Sequence, residues 1–328
     1  MNNLYITGGR QRPSAFSADK EWRAFEKAII VRLDTDNADG KICVEYETPP
    51  DARADDTASI CFKSGAISGN KLYVCTSTEV LVYEVPGFRR LAYVSLPCFN
   101  DLHHVVPTRE GNLIAVSTGL DMVIEFTDQG IVLRQWNAAA PGEDPWGRFS
   151  RDTDYRKMIT MKPYKAHPNF VFWIEKNLWV TRCDLKDAVS LSQPGTRIDI
   201  GLQYVHDGLL FGGKLYFTTV DGRLVIANPQ TFRVDEVIDL RNIDNQEEML
   251  LGFCRGVWMV DATRAWIGFT RVRKTKFKDK VLWAKHGFKE LEKPTHIALY
   301  DIAAKKCLQD INLEQYGMNA VFSILPAT

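Results

Sequence analysis

The chain has 328 residues, 41 basic and 41 acidic side chains, 45% hydrophobic residues and 25% charged residues. That is globular composition, which excludes disordered, collagen-like and coiled-coil classes. A net charge of zero lacks the positive field on which non-specific nucleic-acid binding depends, so no nucleic-acid partner is expected.

In chain order, the opening Met1-Asn2-Asn3-Leu4-Tyr5 lacks the basic and apolar segments of a secretion signal. No apolar run reaches the roughly 18 to 20 residues that cross a bilayer. A soluble, cytoplasmic chain with no membrane partner is expected. One phrase then recurs: Asn3-Leu4-Tyr5-Ile6-Thr7, Lys71-Leu72-Tyr73-Val74, Asn112-Leu113-Ile114-Ala115-Val116-Ser117, Asn177-Leu178-Trp179-Val180-Thr181 and Lys214-Leu215-Tyr216-Phe217-Thr218. A degenerate sixth copy is Arg264-Ala265-Trp266-Ile267-Gly268-Phe269-Thr270. After each copy comes a second β-rich run, at 28–33, 80–85, 122–126, 188–191, 224–227 and 296–300, then a turn and a third run such as 130–136 or 234–240. One more apolar strand precedes each copy.

Four short antiparallel strands in units of roughly 40 to 65 residues spell an all-β fold, a six-bladed β-propeller. The lone final strand, 318–325, completes the blade begun at the N-terminus and closes the ring without a free edge. A single domain over 1–328 is predicted, with blades at about 1–47 plus 316–328, 58–98, 101–137, 166–201, 204–241 and 252–314. A β-sandwich is the structural alternative, but it gives no reason for the split first blade. Seven cysteines, at 43, 61, 75, 98, 183, 254 and 307, form no CxxC pair and read as reduced thiols.

The first strand of each propeller blade lines the channel, so equivalent positions on those strands form a ring. Nine residues before Leu72, Leu113 and Leu215 stand Lys63, His104 and His206; eleven before Leu178 and Ala265 stand His167 and Cys254; the closing strand offers Met318. Three of the six histidines thus fall on one ring, in consecutive blades. Three neutral imidazoles converging on one point hold a divalent transition metal, zinc or iron foremost, and leave coordination positions open. His104, His167 and His206 are the predicted metal ligands. Beside them, Asp207 and Asn169 would orient an imidazole or act as a base. Arg255 would clamp a substrate anion, Cys254 would be a nucleophile, a soft ligand or an inert buried thiol, and Lys63 would form a Schiff base, pair with substrate or remain a solvated channel lysine. His103 points to the opposite side of its strand from His104 and reads as packing.

Long connections at 8–27, 48–58, 137–165 and 271–295 gather on one rim and would roof the histidine site. Asp121, Asp184 and Asp221 belong to that rim, and Tyr155, Arg156 and Tyr164 follow the turn-rich stretch 141–149 and would reach over the channel. The stretch 271–293 carries nine Lys/Arg against three acidic residues and would hold a helix around 281–290. Its charge suits an anionic or carrier-bound small-molecule substrate.

The six-unit pattern resembles the six-bladed propeller superfamily that includes gluconolactonase-type lactonases, although no Glu, Asn and Asp metal set occupies this ring. The three-histidine ring is more similar to peptidyl-hydroxyglycine amidating lyase, and that resemblance implies a metal at His104, His167 and His206 with Arg255 and Tyr155 as substrate groups. Here the histidines cluster in adjacent blades, a departure from that lyase. The expected function is therefore a metal-dependent lyase or hydrolase acting on a small polar or anionic substrate. The alternatives are a non-haem iron oxygenase at the same site and a non-catalytic propeller binding a ligand or protein.

Overall fold

Runs of β-branched and aromatic residues become the middle strands of blades, because stacked blades cover both faces of each sheet and leave no side that needs to be polar. The computed structural model describes residues 3–13, 21–202, 204–245, 251–272 and 293–327. Residues 273–292, which include Lys276 and the helix expected around 281–290, lie outside the described residues.

Six four-stranded antiparallel sheets form the ring. Blade one joins β1 (Asn3–Gln11), β2 (Phe25–Asp34) and β3 (Asp39–Tyr46) to the last strand, β24 (Ala320–Pro326), in the order β24-β1-β2-β3. Blade two is β4 (Ala66–Ser68), β5 (Lys71–Cys75), β6 (Val80–Glu84) and β7 (Arg89–Val94). Blade three is β8 (Leu102–Pro107), β9 (Leu113–Ser117), β10 (Met122–Phe126) and β11 (Val132–Asn137). Blade four is β12 (Pro168–Ile174), β13 (Asn177–Arg182), β14 (Asp187–Ser190) and β15 (Arg197–Asp199). Blade five is β16 (Leu209–Phe211), β17 (Lys214–Thr219), β18 (Arg223–Asn228) and β19 (Arg233–Asp239). Blade six is β20 (Phe253–Met259), β21 (Arg264–Thr270), β22 (His296–Asp301) and β23 (Lys306–Asn312).

Burial follows strand position. Every residue of β9 is buried, whereas β11 in the same sheet buries none fully. The core is divided among the blade interfaces: Leu113, Ile124 and Phe126 pack against Val80 and Val82 between blades two and three, and Leu4, Ile29 and Val321 pack against Trp266 and Ile297 across the closure. Each such aliphatic side chain contributes about 1.5–3 kcal/mol when removed from water. The outer edges carry charge, as at Arg89, Arg90 and Arg233, which disfavours edge-to-edge pairing.

The connection expected at 8–27 is shorter than read, since β1 continues to Gln11. Gly8 and Gly9 look like loop residues but belong to the strand. A Cβ on Gly8 would lie 1.8 Å from the Ala320 carbonyl oxygen, so only glycine admits the closing strand there. On the rim, Lys157 Nζ donates to the carbonyls of Pro50 and Arg53 at 2.9 and 3.1 Å, tying the connection at 137–165 to the one at 48–58.

Candidate functional site

The inner strands place their side chains through irregularities. β8 pairs with β9 through Leu102 to Ser117 and His104 to Val116, so His103 is an extra, bulged residue. The bulge reverses which histidine faces the channel. His103 meets the rings of His167 and His206, with centroids 5.6 and 6.0 Å apart. His104 turns into the seam between blades, stacked on Phe170 at 3.6 Å, and its Nδ1 accepts the Val171 N–H at 3.2 Å. Burial pushes its pKa down to about 3. A neutral imidazole engaged in that way is a structural group, and the structure thus corrects the reading of His104 as a ligand and His103 as packing.

Blade six carries the same correction. Its inner strand shifts register between Arg255 and Val257, where Gly256 adopts φ +77°. Arg255 accordingly faces the channel, its guanidinium carbon 4.7 Å from the centroid of Phe322. Cys254 is wholly buried in the apolar seam with Phe269 and Met259, and burial raises its thiol pKa well above the usual value. It sits in the seam, apart from the channel groups, as the inert buried thiol. Met318 is likewise buried in the seam beside Leu4 and Val321, and Phe322 occupies the closing strand's place at the channel.

Asp207 and His206 form the best-defined pair. Burial opposes charge on Asp207, but His206, Thr218 and the Gly256 N–H outweigh it and hold its pKa below the ordinary carboxylate value. Its Oδ2 accepts the Thr218 hydroxyl and, at 2.8 Å, the Gly256 N–H; its Oδ1 lies 3.2 Å from His206 Nδ1. An ionised carboxylate only accepts, so His206 Nδ1 carries the proton and Nε2 the lone pair. Burial holds the His206 pKa down despite Asp207. His206 Nε2 is buried and has no hydrogen-bond partner among the described residues.

His103 shows the same polarity. Its Nδ1 lies 2.9 Å from the Asp101 carbonyl oxygen, and burial keeps its pKa well below the usual value, so Nδ1–H donates and Nε2 bears the lone pair. His167 precedes β12 with φ +55°, an unusual conformation for a residue other than glycine. Asp121, read as a rim acid, imposes it: its carboxylate accepts the backbone N–H groups of Lys165, Ala166 and His167 at 2.9 to 3.0 Å and binds Arg148 at 2.7 Å. His167 Nδ1 lies 3.6 Å from Asp184 Oδ1. Burial disfavours its charge, but Asp184 and Cys183 raise its pKa to about 9.

The surrounding groups complete the site. Lys63, just before β4, is buried with Nζ 3.5 Å from Asp101 Oδ1 and 4.7 Å from the Phe322 ring centroid. Tyr164 packs on His167 at 4.9 Å and donates its hydroxyl to Asp101 Oδ2 at 2.8 Å. Tyr155, read as a substrate group, is instead buried with Phe99 and Phe126; its hydroxyl accepts the Ser150 N–H and its carbonyl the Asn100 side chain. Asn169 donates to the Val205 carbonyl at 3.0 Å, bracing blade four against blade five. The sequence reading thus located Lys63, His167, His206, Asp207 and Arg255 and missed His103 and Phe322. A bulge has no residue signature in β8, so strand counting selected the neighbour.

Three imidazoles around zinc at about 2.1 Å would put ring centroids roughly 5 to 5.5 Å apart. The pairs observed here are slightly wider. Among the described residues, the set whose possible donor atoms all lie within 4.8 Å of one another is His167, Cys183 and Asp184. The three channel histidines would therefore have to draw together to hold one ion.

No helix among the described residues is long and apolar enough to cross a membrane. No family model matches the chain. No curated protein sequence matches it. Solved structures resemble it at low identity. A protein of unknown function from Bacteroides caccae is 12% identical over 100% of this chain and 99% of that one, with a TM-score of 0.64. A catalytically inactive variant of virginiamycin B lyase from Staphylococcus aureus, solved with quinupristin, is 13% identical over 73% of this chain and 69% of its own, with a TM-score of 0.46. A chain of a mitotic checkpoint complex is 10% identical over 87% and 72%, with a TM-score of 0.49. At such identities the first likeness shows a shared fold alone, and that fold is the six-bladed β-propeller.

Proposed function

We propose that the protein is an enzyme of the lyase or hydrolase type whose channel histidines move a proton on a small substrate, with His206 as general base. The observation that carries this reading is the buried Nε2 of His206, left as an unpartnered lone pair because Asp207 fixes the proton on Nδ1. His206 takes a proton from the substrate, or from a water attacking its carbonyl, and Asp207 stabilises the imidazolium that forms. Arg255 supplies positive charge for the oxygen on which negative charge develops.

A second reading is favoured by a feature that three histidines share: Nδ1 of His103, His206 and His167 lies 2.9, 3.2 and 3.6 Å from an oxygen acceptor, the arrangement that aims Nε2 at a metal. A divalent transition ion, zinc or iron, bound there would supply Lewis acidity. The residues would have to draw inward to hold it.

The test is turnover of a panel of aryl esters, lactones and β-substituted carboxylic acids by untagged protein, with its metal content measured. His206→Gln should reduce turnover at least 100-fold while leaving the circular dichroism spectrum unchanged. Turnover that survives His206→Gln within threefold overturns the assignment. A stoichiometric metal that His103→Gln removes supports the metal-assisted form, and oxygen consumption with bound iron would point to an oxygenase. Ligand or protein binding without turnover would favour the non-catalytic propeller.

A further inference from the structure

A small cavity opens beside the histidine cluster, between the connections at 48–58 and 137–165, and holds about 60 Å3. That is room for a few waters or one phosphate- or carboxylate-sized group, not for an extended ligand. Its lining includes four basic side chains, Arg53, Lys63, Arg156 and Lys162, against one acidic side chain, Asp101. Protein cavities seldom collect cations without a counter-charge, since like charges at close range repel.

Two of these cations have little local compensation. Lys63 is buried, and its contact with Asp101 is long at 3.5 Å, on a carboxylate already accepting from Tyr164. Arg53 binds Asp56, a side chain 89% exposed, while its own Nε is buried with no hydrogen-bond partner among the described residues. Arg156, by contrast, is held in a bidentate pair with Asp154, with contacts of 2.8 Å to each carboxylate oxygen, and serves to shape the wall.

The cavity adjoins the histidines through two shared residues. Asp101 and Tyr164 line it, and the same two residues touch the cluster, Asp101 through its carbonyl to His103 and Tyr164 through its ring to His167. We infer that this cavity is the anchor for the substrate's oxyanion, a phosphate or carboxylate held by Lys63, Arg53 and Lys162, which places the reacting carbon before the histidines. The inference rests on the catalytic reading only in making the anion part of a substrate; the anion site itself stands on the cavity and its charges.

Isothermal titration calorimetry at low ionic strength tests it, with inorganic phosphate and pyrophosphate in one arm and succinate and citrate in the other. At least one of the four should bind with a dissociation constant near 1 mM or tighter. Lys63→Met, and separately the double variant Arg53→Gln with Lys162→Gln, should each weaken that binding tenfold or more, because charge-assisted contacts are lost. His206→Gln should bind as the wild type does, so loss of catalysis and loss of the anion site are read independently. A stronger phosphate arm assigns a phosphorylated substrate, and a stronger carboxylate arm a carboxylic acid. Absence of binding by all four anions up to about 10 mM, or affinity unchanged in both variants, overturns the inference.

Discussion

Asp207→Asn isolates the role of the His206 tautomer, because it keeps the side chain's size and changes only what it can accept. The carboxylate serves three donors: His206 Nδ1–H and the Gly256 N–H, which are fixed, and the Thr218 hydroxyl, which can rotate. An amide offers one oxygen and one NH2. If the oxygen stays with the Gly256 N–H, the NH2 faces His206 and can be satisfied only if Nδ1 becomes the acceptor, which moves the proton to Nε2. The base then has no lone pair to offer. If the amide turns over, its NH2 meets the Gly256 N–H and leaves two buried donors facing each other, at a cost of about 1–3 kcal/mol. The first arrangement is the less costly one, so the expected loss of turnover is roughly 100- to 10,000-fold, or about 3 to 5 kcal/mol in the barrier. Nitrogen-15 NMR of labelled histidine reads the tautomer directly: wild-type Nε2 should show the shift of an unprotonated nitrogen, and the variant that of a protonated one. An unprotonated Nε2 in Asp207→Asn, or turnover within threefold of wild type, would refute the reasoning.

Three further outcomes follow from the same contacts. Asp121→Ala removes the acceptor of three backbone N–H groups around His167 and should cost about 2–4 kcal/mol in urea unfolding, with at least tenfold lower turnover because His167 leaves its position. Cys254, wholly buried and with its thiol pKa raised by that burial, should resist iodoacetamide at pH 8 in the native protein while the half-buried Cys307 reacts; mass spectrometry of the alkylated peptides checks this, and Cys254→Ala should retain turnover. Glu79 is fully buried and accepts hydroxyls from Tyr46, Thr48 and Thr76 at 2.6 to 2.7 Å, so Glu79→Ala should lower stability by about 3 kcal/mol in urea titration, with Glu79→Gln less damaging because its carbonyl oxygen still accepts.

The fold was legible because it rests on quantities the sequence displays: repeat spacing, uninterrupted apolar middle strands and a stray last strand. The site was legible only where the inner strand follows simple counting. His206 and His167 fell where the spacing put them. The ring count chose His104 and Cys254 in place of His103 and Arg255, because each pair sits at a register shift in which one strand advances a residue while its partner does not. Gly256, with φ +77°, is a visible sign in blade six, since a Cβ there would crowd the Phe322 carbonyl at 3.2 Å. Blade three has no such sign, and the paired histidines made either register look reasonable. The rim connections were misleading in another way: Asp121 and Tyr155 carry polar groups near the rim, yet Asp121 spends its carboxylate on three backbone N–H groups and Arg148, and Tyr155 its hydroxyl on the Ser150 N–H.

The two register shifts also explain why polar residues tolerate this depth. In a regular inner strand, alternate side chains enter the apolar seams between blades, and a polar group that does so must find a partner there. The shift at β8 sends His104 into the seam, where Val171 N–H satisfies it, and leaves His103 for the channel. The shift at β20 sends the apolar-tolerant Cys254 inward and turns Arg255 onto Phe322. The Gly256 N–H that this shift exposes is the donor that binds Asp207. The irregularity in blade six thus fixes the carboxylate that fixes the base in blade five, and a Gly256→Ala substitution acts on His206 without touching it.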